Sequence, residues 1–224
     1  MGAVSTATET QLPAAPAARS ARLTREQSRE ATRERLLSAA RVVFARAGYH
    51  GASVEEIASE AGFSTGALYS NFEGKVDLFL ALMEREIDRH HSEITQGVSE
   101  RRTVSARAAK GASQWMSTVD REPELVLLFM EFWAYGVRDP EVRSHVADSF
   151  ARVRELITEL VEDSAREFDL ALALPAEQLS LAIDALADGI ARQKLVDPGA
   201  VPDDLLGRVI AMLMAGATHP APPK

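Results

Sequence analysis

Three stretches of this 224-residue chain hold residue types whose spacing could carry chemistry. The first is Gly62-Phe63-Ser64-Thr65-Gly66, which matches G-x-S-x-G, the elbow that exposes a nucleophilic serine at a sharp strand-to-helix turn. That chemistry needs a strand before the serine and an acid and a histidine downstream. Val54 to Glu60 precede it with helical spacing and charged glutamates, and no β-rich set of strands follows. The match is read as chance. The second stretch is Glu86, His90 and His91. One pair has the i, i+4 spacing of helical metal ligands, but no third ligand is evident and the histidines sit among solvated charges, so no metal is assigned. Phosphate-cradling glycine loops and nucleophile–base arrangements are lacking too. The chain is expected to be no enzyme and to need no cofactor.

The third stretch, Ser53 to Lys75 (SVEEIASEAGFSTGALYSNFEGK), could do the chemistry of base and phosphate recognition. Ser53 followed by Glu56 reads as a capping box, so a helix starts at Val54. Val54, Ile57, Ala58 and Ala61 recur at helical spacing, and Gly62 permits the positive φ that ends the helix abruptly. Ser64 or Thr65 caps a second short helix, held to the body of the domain by Leu68 and Phe72. Its other face offers Thr65, Gly66, Ala67, Tyr69, Ser70 and Asn71: short or hydrogen-bonding groups, and a glycine that lets the backbone come close. Such a face fits a major groove, with Tyr69 and Lys75 placed to reach phosphates. The spacing is that of a helix-turn-helix. Ser53, Ser64, Arg29 and Arg33 complete the residues expected at double-stranded DNA, and Arg19, Arg22, Arg25 and Arg29 could form an arm along phosphates or simply be solvated.

The run from Arg29 to about Arg89 also resembles the DNA-binding domain of the TetR family of bacterial repressors. The resemblance is carried by Ala40, Phe44, Gly48, Tyr49, Ile57-Ala58, Ala61-Gly62-Phe63-Ser64, Gly66, Leu68-Tyr69, Phe72, Lys75 and Leu78-Phe79. Ser53, Asn71 and Val76 depart from the usual pattern. The resemblance implies an all-α fold in which the DNA-binding domain is followed by a helical bundle. In that family the bundle's last two helices pair with a second subunit, and its interior binds a small-molecule inducer.

Elements that position these residues follow from the rest of the chain. Hydrophobic residues at 46% and charged residues at 26% place it among soluble globular proteins, and no cysteine is present to build disulfides or thiolate metal sites. The net charge of −8 is unevenly spread: residues 19–75 hold 9 Lys/Arg against 7 Asp/Glu, residues 76–224 hold 16 against 25. The positive balance lies with the helix-turn-helix. Residues 1–28 read as a flexible tail without a signal-peptide core, which with the lack of a membrane span points to the cytoplasm. A supporting helix is expected from Arg29 to Ala47, ending at Gly48, and a loop from Tyr49 to Ala52. A long helix begins at Lys75 with Val76, Phe79, Leu80, Met83 and Ile87 on one face. The expected domains are the helix-turn-helix at 29–89, a helical regulatory and dimerisation domain at 90–216, and a loose tail at 217–224.

Within the second domain, helices are expected at Val104–Val119, from Pro123, from Asp139-Pro140 to about Phe168, from Pro175 to Val196 and from Asp203 to Ala215, with no strand of useful length. Trp115, Met116, Phe129, Met130, Phe132, Trp133, Tyr135 and Phe150 form an aromatic and methionine cluster that could line a pocket or be plain core. Glu131 could pair with a cationic ligand, an arginine or water. Leu179, Ile183, Leu186, Ile190, Leu206, Val209, Ile210 and Leu213 could form a homodimer contact or ordinary core. These expectations converge on a dimeric, ligand-responsive transcriptional regulator, a repressor of a palindromic operator released by an inducer. The alternative is a helical protein-interaction module with architectural, weakly specific DNA binding.

Overall fold

The computed structural model describes residues 24–220; the expected tail, with Arg19 and Arg22, lies outside them. Helices dominate: α1 (Arg25–Gly51), α2 (Val54–Ala61), α3 (Thr65–Tyr69), α4 (Lys75–Ser99), α5 (Val104–Arg121), α6 (Pro123–Gly136), α7 (Pro140–Glu167), α8 (Ala176–Val196) and α9 (Leu205–Ala217). A two-stranded antiparallel ribbon pairs β1 (Leu170–Leu172) with β2 (Thr218–Pro220). This ribbon corrects two expectations: short strands exist, and residues 218–220 are paired to the chain just after α7 where a loose tail was expected. Three-residue strands carry too little alternation to be seen in sequence.

The first helix starts earlier than expected because Thr24 and Gln27 form a complete capping box ahead of Arg25. It also continues beyond Gly48, where φ of 71° breaks the helical path and turns the last residues inward. Tyr49 therefore becomes buried core where a loop was expected. A Cβ at position 48 would stand 2.7 Å from the Glu131 carboxylate, so glycine serves both the turn and the close approach of α6.

The largest core gathers α1–α4 with one face of α6 and the start of α7. Phe79 stacks on Phe132 at 4.1 Å between ring centroids and meets Phe44 edge-on at 5.3 Å, packing that adds specific ring contacts to the burial of large apolar area. A second core joins α5, α8 and α9 through Met116, Leu179, Leu206, Ile210 and Met214. α4 runs unbroken past residue 90, so the expected division between domains falls inside one helix that belongs to both.

Candidate DNA interface and ligand cavity

The turn of the helix-turn-helix is built by backbone bonds. Gly62 closes α2 at φ of 73°, and the amide N–H groups of Gly62 and Phe63 donate to Ser59 O and Ala58 O at 3.0 and 2.9 Å, which satisfies carbonyls the helix leaves open. Ser53 accepts from the Glu56 N–H at 3.1 Å, but the Glu56 carboxylate pairs with Arg46 instead of returning to Ser53. Only half of the expected box forms. Ser64 caps α3 by accepting from the Ala67 N–H at 3.2 Å. Two arginines of α1 hold the unit in place: Arg33 lies over the Phe72 ring at 4.3 Å and donates to Asn71 O, while Arg35 lies over Phe63 and donates to Ala61 O.

This geometry sorts the residues expected at DNA. Arg29, Ser53, Ser64, Gly66, Tyr69 and Ser70 are exposed, and Thr65 and Ala67 are partly so. Tyr69, at 54% exposure, is the largest open side chain of α3. Three residues are turned to structural work. The Arg33 guanidinium is engaged as above. Asn71 is half-buried, its Nδ2 donating to Ala67 O at 2.8 Å. Lys75 is half-buried too; its Nζ donates to Tyr49 O at 3.0 Å and Ala52 O at 3.1 Å and sits over the Tyr49 ring. The expected phosphate role of Lys75 is corrected accordingly: the kink at Gly48 leaves carbonyls at the end of α1 that its ammonium satisfies.

α6 ties this unit to the bundle. Glu131, considered as a ligand partner in sequence, accepts from the backbone N–H groups of Tyr49 and His50 at 3.1 and 3.2 Å. Glu122, where α5 meets α6, accepts from Arg41 of α1 at 2.6 Å and Arg89 of α4 at 2.7 Å. Burial opposes ionisation of Glu122, yet the two guanidiniums hold its carboxyl below its ordinary value. Glu86, His90 and Glu122 approach one another closely enough to suggest a cation site. An Arg89 Nη atom already stands among them, 2.8 Å from Glu86, 2.7 Å from Glu122 and 2.7 Å from the His90 ring nitrogen. Burial, then Arg89, pushes the His90 pKa down. His91 instead contacts the Thr95 hydroxyl.

A cavity of about 550 Å³ opens inside the bundle between α4 and the helices that follow it. Its size falls in the range of small-molecule sites. Trp115, Phe129, Met130, Trp133 and Phe150 line it, with Met83 and Ile87 of α4 and Ile157 and Ile183 of α7 and α8. Met116 is corrected to core, where it packs among Ala112, Leu206 and Ile210. Phe132 and Tyr135, on the adjoining face of α6, belong to the DNA-binding core, against which Phe129 also packs. The periodicity of α6 could not make this division, because the helix is apolar nearly all round and two different neighbours share it. Polar cavity residues escaped the sequence reading altogether: Arg107, Arg154, Asp184, Asp188 and Arg192. Asp184 and Asp188, four apart among the alanines and leucines of α8, were the visible clue. Burial and the neighbouring Asp188 push the Asp184 carboxyl up to about 6, against an opposing effect of Arg154.

The proposed dimer residues divide as well. Leu179, Leu206 and Ile210 are buried at 0, 1 and 6% exposure within one chain and cannot be partner surface. α8 and α9 turn these positions towards α5 and α7. Ile183, Leu186, Ile190, Val209 and Leu213 are half-buried, and Leu181, Val196 and Met212 are the apolar residues most open on these helices.

Residues 36–82 match bacterial regulatory proteins of the tetR family, and residues 105–217 match the C-terminal domain of BetI-type transcriptional repressors. The chain belongs to the TetR family. It is thus a helix-turn-helix transcriptional regulator of a family that binds DNA and small molecules, acts as dimers and is not enzymatic. Among relatives, the transcriptional activator FasR of Mycolicibacterium smegmatis is 26% identical over 192 residues, 85% of either chain. The regulator FadR of Bacillus subtilis, solved with stearoyl-CoA, superimposes with a TM-score of 0.66 at 18% identity over 83% of this chain and 99% of its own. A regulator from Saccharomonospora viridis, solved with choline, gives 0.65 at 19% identity over 85% and 99%. These two structures share the TetR-family fold with this chain. No described helix is long and apolar enough to cross a membrane.

Proposed function

We propose that this TetR-family regulator binds a palindromic operator as a homodimer and that a small molecule entering the bundle releases it. The observation that carries the reading is the double allegiance of α6: Phe129, Met130 and Trp133 line the cavity while Phe132 and Glu131 grip α4 and the end of α1. A ligand that shifts α6 therefore acts on the body that positions α3. α4 gives parallel support, since Met83 and Ile87 line the cavity and Phe79 packs under α1. By linkage, the ligand must favour the DNA-incompetent arrangement, and operator binding must weaken the ligand by the same factor. At the operator, Thr65, Gly66, Ala67 and Ser70 face bases and Tyr69 faces the backbone, with Arg29 beside them.

The dimer contact is proposed on the outer faces of α8 and α9, around Val196, Val209 and Met212, since Leu179, Leu186, Leu206 and Ile210 are spent on the protomer's own core. The stearoyl-CoA and choline of the two structural relatives are so unlike that the ligand has to be read from this cavity's own lining. Selection of bound duplexes from a random pool tests the whole reading. A two-fold symmetric consensus, with half-sites about 34 Å or a multiple of it apart, is expected. Recovery of unrelated duplexes with equal affinity would instead support architectural binding.

A further inference from the structure

Asp184 and Asp188 stand one turn apart on α8, and both line the cavity. Asp184 is only 9% exposed, and among the described residues neither carboxylate has a hydrogen-bond or ion-pair partner; only longer-range charges act on them. Other buried charges of the cavity are already matched. Glu86 is paired with Arg41, Arg85 and Arg89, and Arg107 with Glu167 and Ser164. Arg154 from α7 and Arg192 from α8 face the aspartates and favour their charged forms, but without offsetting burial, since both carboxyls remain raised. Arg192 is exposed, so water screens its charge, and an arginine carries its head on a long stem that can move. An aspartate has one methylene and stays where the helix places it.

Aromatic rings complete the wall. The Trp115 Nε1 donates to the carbonyl of Ala187, the neighbour of Asp188, at 3.4 Å, and Trp133, Phe129 and Phe150 line the same space. Ring faces attract cations and disfavour anions. We propose that the cavity takes an apolar molecule bearing one positive charge, an amine or quaternary ammonium, whose head sits at Asp184 and Asp188 while its apolar body fills the isoleucine- and phenylalanine-lined remainder. The proposal rests on the ligand cavity described under the proposed function and adds the charge of its occupant.

Tryptophan fluorescence of the full chain at pH 7.5, titrated with decyltrimethylammonium, decanol and decanoate below their micelle concentrations, tests the inference. The cation is expected to bind roughly tenfold tighter than decanol, in line with a desolvated cation on aromatic faces beside a carboxylate. Asp184→Asn and Asp188→Asn should each erase most of that advantage, bringing the ratio of cation to decanol affinity towards one. Both substitutions remove an unmatched charge, so folded variants are expected. Decanol or decanoate binding as tightly as the cation, or cation binding indifferent to both substitutions, would overturn the inference while leaving a ligand cavity in place. If none of the three binds, the cavity reading itself fails and the inference with it.

Discussion

Leu36, Val43, Phe44, Ile57, Leu68, Leu78, Phe79 and Leu82 of the DNA-binding half are all sealed at 0% exposure, whereas Ile87, Ile94, Phe129, Ile157, Leu160 and Ile183 around the cavity are half-buried. Both regions use amphipathic helices rich in the same residue types. In the first, short capped helices and α1 arginines pack every apolar face against another, so α3 is held rigidly for recognition. In the second, long helices stand apart and leave space that their side chains do not fill. Unfilled apolar space forfeits packing contacts, a cost that a regulator can recover only when something occupies it. The contrast separates a region that must keep one shape from a region that must respond.

The largest expected difference lies in core truncation. Phe79→Ala should cost about 3–5 kcal/mol of unfolding free energy in urea, since its neighbours are close-packed on every side. Ile157→Ala, whose side chain already borders the cavity, should cost less than about 2 kcal/mol. Equal losses would break the contrast between filled and hollow halves.

Next in size is the charge on α8. The Asp184 carboxyl titrates near 6 in the folded chain against an ordinary 3.8, so the folded state holds the proton more tightly than the unfolded one. That contribution to stability is complete below pH 3.8 and is lost as pH rises through about 6. Asp184→Asn should therefore be more stable than the parent by about 1–3 kcal/mol at pH 8, allowing for water in the cavity, with the gap narrowing by pH 5. A gap of the same size at both pH values would mean that burial of this charge has no consequence.

Coupling between the halves comes third. Glu131→Ala leaves the Tyr49 and His50 amides without their acceptor and frees α6 from the end of α1. Any compound that lowers operator affinity in the parent by the usual 1–3 kcal/mol, about 5- to 150-fold, should lose most of that effect in the variant while still quenching tryptophan. Undiminished coupling would assign the communication to α4 alone. The smallest effect is local to the recognition unit: Ser64→Ala should cost about 1 kcal/mol of stability through the lost cap of α3. Tyr69→Ala should leave stability within about 0.5 kcal/mol, as an exposed site does, yet weaken operator binding. Were the two variants to exchange these phenotypes, the assignment of cap and contact would be reversed.

Local rules were enough for much of this molecule. Ser53, Gly62 and Ser64 bracket α2 and α3 at the expected places because caps and left-handed exits depend on residues within one turn, and Asp139-Pro140 starts α7 for the same reason. The all-helical class, the helix-turn-helix and the aromatic character of α6 were likewise written in the spacing of residues. What tertiary structure alone decided is which of two possible partners each side chain met. Lys75 turned from phosphate to the carbonyls of Tyr49 and Ala52, Glu131 from ligand to backbone amides, and Met116 from pocket to core. Leu206 and Ile210 turned from a second subunit to α5 and its neighbours. Asp184 became a cavity residue because α7 and α8 cover it, and the charge of Arg154 on α7 does not offset that burial. Periodicity specifies that a face is apolar or that a group can donate or accept; it carries no term for the distance between helices far apart in sequence, and that distance sets whether a face closes into core, opens onto a cavity or waits for another chain.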